Sequence, residues 1–282
     1  MIGFNYLGKM GQLGNQMFQY ASLKGIARNN GHNFCIPNHN EIFDDGIGNK
    51  LHIELFKPFV LKNFSELNCQ VIDPDRPVVQ EHQFHFNEQL FKNCPDWVSL
   101  AGYFQTEKYF KHIEKEIRED FAFKNEILEP CQEMMGEFGE APLSLHIRRG
   151  DFLINSANHH NLGLDYYDKA LAEFPTNVPV VIFSDDPEWC SEQEIFADDR
   201  FLVSEGNSSY IDLCLMSLCE GHIIANSSFS WWGAWLADSK IVVAPSIWFG
   251  PNNSHLDIKD LYLDHWEAVS YTHLPLPTSD LV

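Results

Sequence analysis

The chain is poor in positive charge and has no long apolar run. Its 282 residues contain 40 Asp and Glu against 19 Lys and Arg, a formal net charge of −21 at pH 7. Because a basic face is needed to bind a phosphate backbone, nucleic acid is not expected as a partner. No apolar stretch approaches the roughly 18 residues that cross a bilayer. The N-terminus has no basic segment followed by an apolar core, so no secretory signal is expected.

Common cofactor and metal signatures are also missing. The lack of a G-x-G-x-x-G or G-x-x-x-x-G-K-[ST] motif argues against a Rossmann dehydrogenase and a P-loop NTPase. The 13 His and 7 Cys show no H-E-x-x-H or C-x-x-C spacing, so we expect no metal, no cofactor and reduced thiols in a cytoplasmic protein. One metal alternative stays open, a metal-dependent transferase that uses Asp185 and Asp186, although their spacing is D-D instead of D-x-D.

The chain is long enough for one large or two medium domains, and an apolar content of 44% is enough to build their cores. Its opening predicts a βαβ-like unit, with a strand at 2–7, a glycine-rich turn at 8–16, a helix at 17–30 and a strand at 32–37. Further strands are predicted at 59–64, 77–86 and 97–104, and amphipathic helices at 109–123 and 126–138.

The second half alternates strands and helices more regularly. Continuous apolar strands such as "VPVVIF", "HIIA" and "KIVVA" are typical of a parallel sheet that is covered on both faces. This pattern predicts a doubly wound α/β domain, in which ligands bind beyond the carboxyl ends of the strands. We expect one α/β domain at 1–140, a second at 141–269, and a non-native or disordered tail at 270–282.

The stretch "LSLHIRRGDF" ends one of these strands with two adjacent arginines. The period of two along a strand places His146 and Arg148 on one face, and Gly150 lets the backbone turn after Arg149. Guanidinium groups match phosphate oxygens bidentately, and Asp151 lies close enough in sequence to orient one of them. The alternative is a surface salt bridge between Arg149 and Asp151.

A second polar cluster follows the strand "GHIIAN". Asn226, Ser227 and Ser228 are favourable N-cap types directly before an apolar helix. The free N–H groups and dipole of a helix start attract anions, although plain helix capping explains the same residues. The Trp run of this helix is expected to pack in the core instead of stacking on sugar.

Two further polar groups complete the candidate site. Asp185 and Asp186 end a buried strand, where a carboxylate can accept hydrogen bonds from guanine or cap the next helix. In the N-terminal loop, glycines permit close backbone approach, and two amides can bond sugar hydroxyls or cap the following helix. The loop residues are Gly11, Gly14, Asn15 and Gln16.

The segments "GQLGNQMFQYA", "HIRRGDF" and "ANSSFSWWGAWLA", in this order, resemble the motifs of glycosyltransferase family 11, the α-1,2-fucosyltransferases, in its bacterial form. The resemblance spans residues 1 to about 267, and H-x-R-R-x-D is also shared with α-1,6- and protein O-fucosyltransferases. It implies a GT-B-like architecture of two Rossmann-like α/β domains facing a cleft, with the acceptor side at 1–140 and the nucleotide-sugar-binding domain at 141–269. By the family pattern, the nucleotide site contains His146, Arg148, Arg149, Ser227, Ser228 and Ser230.

The resemblance also implies an inverting, metal-independent transfer from GDP-β-L-fucose, a co-substrate, to the 2-hydroxyl of a galactose-terminated acceptor. We expect Arg148 to stabilise the leaving diphosphate and Asp151 to be the candidate base. A lipid-linked acceptor would make the protein a peripheral partner of the membrane. The alternatives are a fucosyltransferase of other linkage, such as α-1,6, and a non-catalytic sugar-nucleotide-binding protein.

Overall fold

The computed structural model describes residues 1–37, 42–44 and 50–270. The strands are β1 (Ile2–Gly3), β2 (Phe34–Cys35), β3 (Phe43–Asp44), β4 (Lys50–Leu51), β5 (Val78–Gln80), β6 (Val98–Ala101), β7 (Leu143–Ile147), β8 (Val180–Ser184), β9 (Phe201–Val203), β10 (Gly221–Ile223), β11 (Ile241–Pro245) and β12 (Glu267–Val269). The α-helices are α1 (Leu13–Asn29), α2 (Glu88–Asn93), α3 (Glu114–Asp120), α4 (Asn125–Gly136), α5 (Gly150–Ile154), α6 (Leu164–Leu171), α7 (Pro187–Ser191), α8 (Ser209–Ser217) and α9 (Ser228–Leu236).

Two parallel sheets organise these elements into two α/β domains. The first sheet has the order β2-β1-β6-β5, and all of its pairs are parallel. The second has the order β12-β11-β10-β7-β8-β9, again with parallel pairs throughout. β3 and β4 form a separate antiparallel pair. In the second sheet the strand order reverses between β7 and β10, which is where an open α/β sheet opens a crevice for ligands.

The second sheet is built from the apolar segments that predicted it. All five residues of β7 are buried, as are four of the five in β8 and in β11. Strands covered on both faces bury every side chain, and for this reason such segments lack the alternation of a half-exposed strand. The parallel α/β architecture expected for this half is confirmed.

An aromatic core joins the two sheets. Trp231, Trp232 and Trp235 of α9 are at most 1% exposed, which confirms the expected core packing. The Phe18 ring of α1 lies 4.4 Å from the ring of Trp231 and 4.9 Å from that of Trp232. Phe110 stacks on Trp232 at 5.5 Å. Each such pair adds about 0.5–1.5 kcal/mol beyond its buried area, so α1 and α9 are held firmly together.

Helix α4 precedes the expected boundary at residue 140 but lies against the second domain. The Sγ of Cys131 in α4 contacts the carbonyl of Ile211 in α8 at 3.9 Å. The strands of the first sheet lie within residues 2–101 and those of the second within 143–269. The exact domain limits stay a prediction.

Several elements differ from their predicted lengths. Residues 59–64, expected to be a strand, pair with neither sheet. Phe59 makes only an isolated bridge with Phe123, and the φ of 48° at Leu61 is incompatible with a strand. The expected helix at 109–123 begins with short 3-10 turns and is α-helical only in α3. Burial of apolar side chains does not require regular backbone pairing, and this explains both errors. Residues 271–282 of the expected tail lie outside the described residues.

Candidate functional site

The polar residues singled out in the second half meet at the carboxyl edge of its sheet. β7 and β8 are hydrogen-bonded neighbours that end at Ile147 and Ser184, while β10 lies on the other side of β7. The polar segments that follow these strands therefore lie together at the point where the strand order reverses. This is the position at which open α/β sheets bind ligands.

Arg148 is held between two carboxylates at this edge. Its guanidinium lies 2.6 Å from Asp151 and 3.0 Å from Asp185, measured between nitrogen and oxygen atoms. The side chain of Arg148 is 20% exposed, so its guanidinium is largely shielded from water but still accessible to a ligand. A guanidinium has five N–H donors, more than these two carboxylates take, so Arg148 is oriented in advance for a further acceptor.

Arg149 is positioned by a separate set of contacts. Its Nε donates to Asp186 at 2.9 Å, and its guanidinium carbon lies 3.8 Å from the centre of the Trp189 ring. Its backbone N–H donates to Asp185 at 2.8 Å. The alternative salt bridge between Arg149 and Asp151 is not formed, because the turn into α5 brings Asp151 to the preceding arginine instead.

Asp185 and Asp186 therefore position the two arginines. Asp186 also accepts a hydrogen bond from the Trp189 N–H at 3.3 Å and caps α7, as one alternative anticipated. Asp185 approaches so close to α5 that a Cβ on Gly150 would lie 2.5 Å from its Oδ2. Guanine recognition by Asp185 or Asp186 stays a prediction.

His146 is buried between β7 and α9. Its Nδ1 lies 2.9 Å from the Ser230 hydroxyl, and its ring is 5.7 Å from that of Phe229. Burial, with a smaller contribution from Arg148, lowers the pKa of His146 from 6.5 to about 3. The imidazole is therefore neutral at physiological pH and acts here as a hydrogen-bonding partner of Ser230.

The start of α9 places its polar residues in different roles. Ser227 is the N-cap and accepts a hydrogen bond from the Phe229 N–H at 3.3 Å. Ser230 is 1% exposed, and Asn226, 3% exposed, donates to the carbonyls of His160 and Trp248. Ser227 and Ser228 are half-buried and lie at the positive end of the helix dipole, where an anion is stabilised.

The first turn of α1 meets α9 directly. Because α1 begins at Leu13, Gly14 and Asn15 lie in this helix and not in the turn that the sequence predicted at 8–16. A Cβ on Gly14 would lie 2.7 Å from the Phe229 nitrogen, so only glycine permits this approach. The Oδ1 of Asn15 accepts hydrogen bonds from Gln105 at 2.7 Å and from the Ser228 hydroxyl at 2.9 Å. The N-terminal ends of α1 and α9 are therefore adjacent.

Gln16 has a structural role that differs from the two that the sequence predicted. It is fully buried, and its amide donates to the carbonyls of His52 at 2.8 Å and Gly11 at 3.2 Å. Its Oε1 accepts from the Glu54 N–H at 2.8 Å. Gln16 holds the loop in place, and the N-cap of α1 is Gln12.

Two residues of this region were not identified from the sequence. Gln105 bonds Asn15, and Glu81 accepts hydrogen bonds from the backbone N–H groups of Tyr103 at 2.7 Å and Phe104 at 3.0 Å. The position of each side chain is set by hydrogen bonds to residues distant in sequence. The one available signal for Glu81 is its position directly after the apolar pair of β5.

Metal-ligand groupings were searched for across residues 1–37, 42–44 and 50–270. Within these ranges no group of three or more His, Cys, Asp or Glu side chains is arranged to hold a metal ion. No helix of the same described residues is long and apolar enough to cross a membrane. Metal independence of the reaction stays a prediction.

Comparisons with known proteins agree on one family and one fold. Residues 2–270 match the family model Glycosyl transferase family 11. The chain is 32% identical to an Escherichia coli alpha-1,2-colitosyltransferase over 85% of this chain and 90% of that protein. It is 24% identical to the human galactoside alpha-(1,2)-fucosyltransferase 1 over 95% of this chain and 75% of that protein. A crystal structure of POFUT1 in complex with GDP superposes with a TM-score of 0.52, 13% identity, and coverage of 84% and 94%, which shows the GT-B fold.

Proposed function

We propose that this chain, which belongs to glycosyltransferase family 11, transfers L-fucose from GDP-β-L-fucose to the 2-hydroxyl of a terminal galactoside. The transfer inverts the anomeric centre and uses no metal ion. One observation supports this proposal most strongly: Arg148 is held by Asp151 and Asp185 at the strand edge that also contains the start of α9. The names of both relatives support the linkage, and the name of the human relative supports the sugar.

The charge changes of the reaction match this geometry. As the bond between C1 and the diphosphate oxygen stretches, negative charge grows on the diphosphate and the sugar becomes oxocarbenium-like. Arg148 and Arg149 are oriented in advance by carboxylates, so their donors need little rearrangement when this charge develops. The N–H groups at the starts of α1 and α9 add further positive potential.

The remaining site residues support the donor in this account. Asp185 and Asp186 position the arginines and stay candidates for reading the guanine base. Ser227 and Ser228 face the diphosphate, while His146, Asn226 and Ser230 maintain the shape of the strand edge. We place the reaction in the cytoplasm, since the seven cysteines are odd in number and form no C-x-x-C pair. A lipid-linked acceptor would bring the protein to a membrane surface as a peripheral partner.

A second donor is favoured by a specific observation. The relative from Escherichia coli is named for the transfer of colitose, which is L-fucose without its 3-hydroxyl. A site that hydrogen-bonds this hydroxyl rejects the deoxy sugar strongly, whereas a site that leaves it in water accepts both. GDP-colitose is therefore the alternative donor for the same arginines and the same linkage.

The experiment is a turnover assay with purified protein. GDP release is followed with lactose as acceptor, with GDP-fucose or GDP-colitose as donor, in the presence and absence of EDTA. The proposal expects turnover of GDP-fucose that EDTA does not reduce. Loss of turnover in EDTA would favour the metal-dependent alternative, and donor binding without turnover would favour a binding protein.

A further inference from the structure

A carboxylate that the sequence did not point to lies at the carboxyl edge of the first sheet. Glu81 is the residue directly after β5, and it is half-buried. Its two carboxylate oxygens accept hydrogen bonds from the N–H groups of Tyr103 and Phe104, which follow β6. The side chain is therefore fixed across the ends of two neighbouring strands.

The backbone around Glu81 is shaped to receive this carboxylate. Gly102 has a φ of +150°, and a Cβ at that position would lie 2.6 Å from the Glu81 Oε2. The Gln19 amide donates to the Gly102 carbonyl at 3.1 Å and to the Met10 carbonyl at 3.0 Å. The carboxylate is thereby connected to the glycine-rich turn that precedes α1.

Both segments that flank Glu81 and its partners contact the second domain. Phe84, three residues after Glu81, packs its ring 4.8 Å from that of Phe249. Gln105 follows Phe104 and donates to Asn15, which in turn accepts from Ser228 at the start of α9. The edge of the first sheet that bears Glu81 is therefore the edge that meets the second domain.

Two exposed tyrosines accompany Glu81 at this edge. Tyr6 follows β1 and is 39% exposed, while Tyr103 follows β6 and is 41% exposed. β1, β6 and β5 are consecutive strands of the sheet, so Tyr6, Tyr103 and Glu81 lie in segments that follow three adjacent strands. Tyrosine combines an apolar ring with a polar hydroxyl, as a sugar surface requires.

The titration of Glu81 suits proton transfer near neutral pH. Burial raises the pKa of Glu81 to about 7, even though the N–H groups of Tyr103 and Phe104 act in the opposite direction. A general base works best when its pKa lies near the operating pH.

We propose that the Glu81 carboxylate is the general base that takes the proton of the acceptor hydroxyl, an inference that rests on the function proposed above. As the hydroxyl oxygen forms its bond to C1, the bond from C1 to the diphosphate breaks and GDP leaves with the electron pair. The hydroxyl proton passes to Glu81, which returns it to water after the product leaves. Asp151, bound to Arg148 at 2.6 Å, acts as a positioning residue in this account.

The test compares matched carboxamide variants. Glu81→Gln is expected to lower kcat by about 10²–10⁴-fold and to abolish the acidic limb of the kcat/KM profile near pH 7, with the GDP affinity from calorimetry kept within twofold. Asp212→Asn is the control, because Asp212 in α8 is another carboxyl whose pKa is raised by burial. It is expected to keep the acidic limb.

A second variant distinguishes loss of the general base from misfolding. Glu81→Asp keeps the charge with a shorter reach, so it is expected to retain GDP binding, partial turnover and an acidic limb. Glu81→Gln that turns over within threefold of the wild type, or keeps the limb, would overturn the role of Glu81. If Asp151→Asn, and not Glu81→Gln, loses the acidic limb of the kcat/KM profile, the general base is Asp151 and the role of Glu81 is overturned. Wild-type protein that transfers no sugar would overturn the proposed function itself, and this is seen before any variant is made.

Discussion

The hydroxyl of Ser228 donates to the Oδ1 of Asn15 at 2.9 Å and joins the start of α9 to the start of α1. These two residues are 213 positions apart in the chain, yet they belong to two segments that the sequence singled out separately. Gly14 permits the contact because its missing side chain leaves room for the backbone at Phe229. The donor site proposed here therefore depends on both domains.

Gly14→Ala is expected to separate the two helix starts. The added methyl would lie 2.7 Å from the Phe229 nitrogen and 2.8 Å from the Ser228 Oγ, so overpacking should cost about 1–3 kcal/mol of unfolding free energy. GDP affinity should fall at least tenfold, as measured by calorimetry. Gly136→Ala, where nothing lies within 4 Å, is the control. Unchanged GDP affinity in Gly14→Ala would show that the contact does not shape the site.

Arg148→Ala is expected to lower kcat by ~100-fold or more, because it removes a donor that acts on the charge of the leaving diphosphate. Arg148→Lys should restore little, since an ammonium lacks the planar fork that Asp151 and Asp185 orient. The measurement is steady-state GDP release at saturating donor. Arg28→Ala, at an arginine that is 51% exposed, serves as the control. Near-normal kcat in either Arg148 variant would remove Arg148 from this role.

The buried His146 is expected to make the free energy of unfolding fall as the pH is lowered. Its folded pKa of about 3 lies below the ordinary value of 6.5, so the unfolded chain binds a proton first as the pH falls. The stabilisation is present above pH 6.5 and is lost toward pH 3, with about 2 kcal/mol lost between pH 7 and pH 5. Urea unfolding at both pH values should show a smaller loss for His146→Gln. An equal loss in both proteins would contradict burial of a neutral imidazole.

Removal of residues 271–282 is expected to leave turnover and melting temperature unchanged. The family match ends at residue 270, and the segment beyond it has no amphipathic period. Differential scanning calorimetry and GDP release on a chain that ends at Ser270 provide the measurement. Loss of folding in the shortened chain would show that the tail belongs to the domain.

The location of the site could be predicted from the sequence because strand ends are visible in it. The apolar run before His146 ends at two arginines, and the run before Asp185 ends at two carboxylates. Parallel pairing of β7 and β8 then brings them together. The ion pair between Asp151 and Arg148 could not be predicted, since it depends on where α5 begins whether Asp151 reaches Arg148 or Arg149.

Other features lay beyond sequence patterns for a different reason. Glu81 and Gln105 are positioned by hydrogen bonds to residues far along the chain, and no local periodicity in the sequence indicates such contacts. The strand expected at 2–7 is reduced to β1, although Phe4 and Leu7 are buried. A buried apolar residue can fill a core from a turn, so burial alone does not predict strand length.

The most direct test of the central claim is the structure of the reaction product. GDP-fucose and lactose are incubated with the purified protein in EDTA, and the new glycosidic bond is assigned by NMR. The account predicts an α-linked fucose on the 2-oxygen of galactose, with one GDP released per bond formed. A β-linked product, attachment at another hydroxyl, or bound GDP-fucose that is never consumed would contradict it.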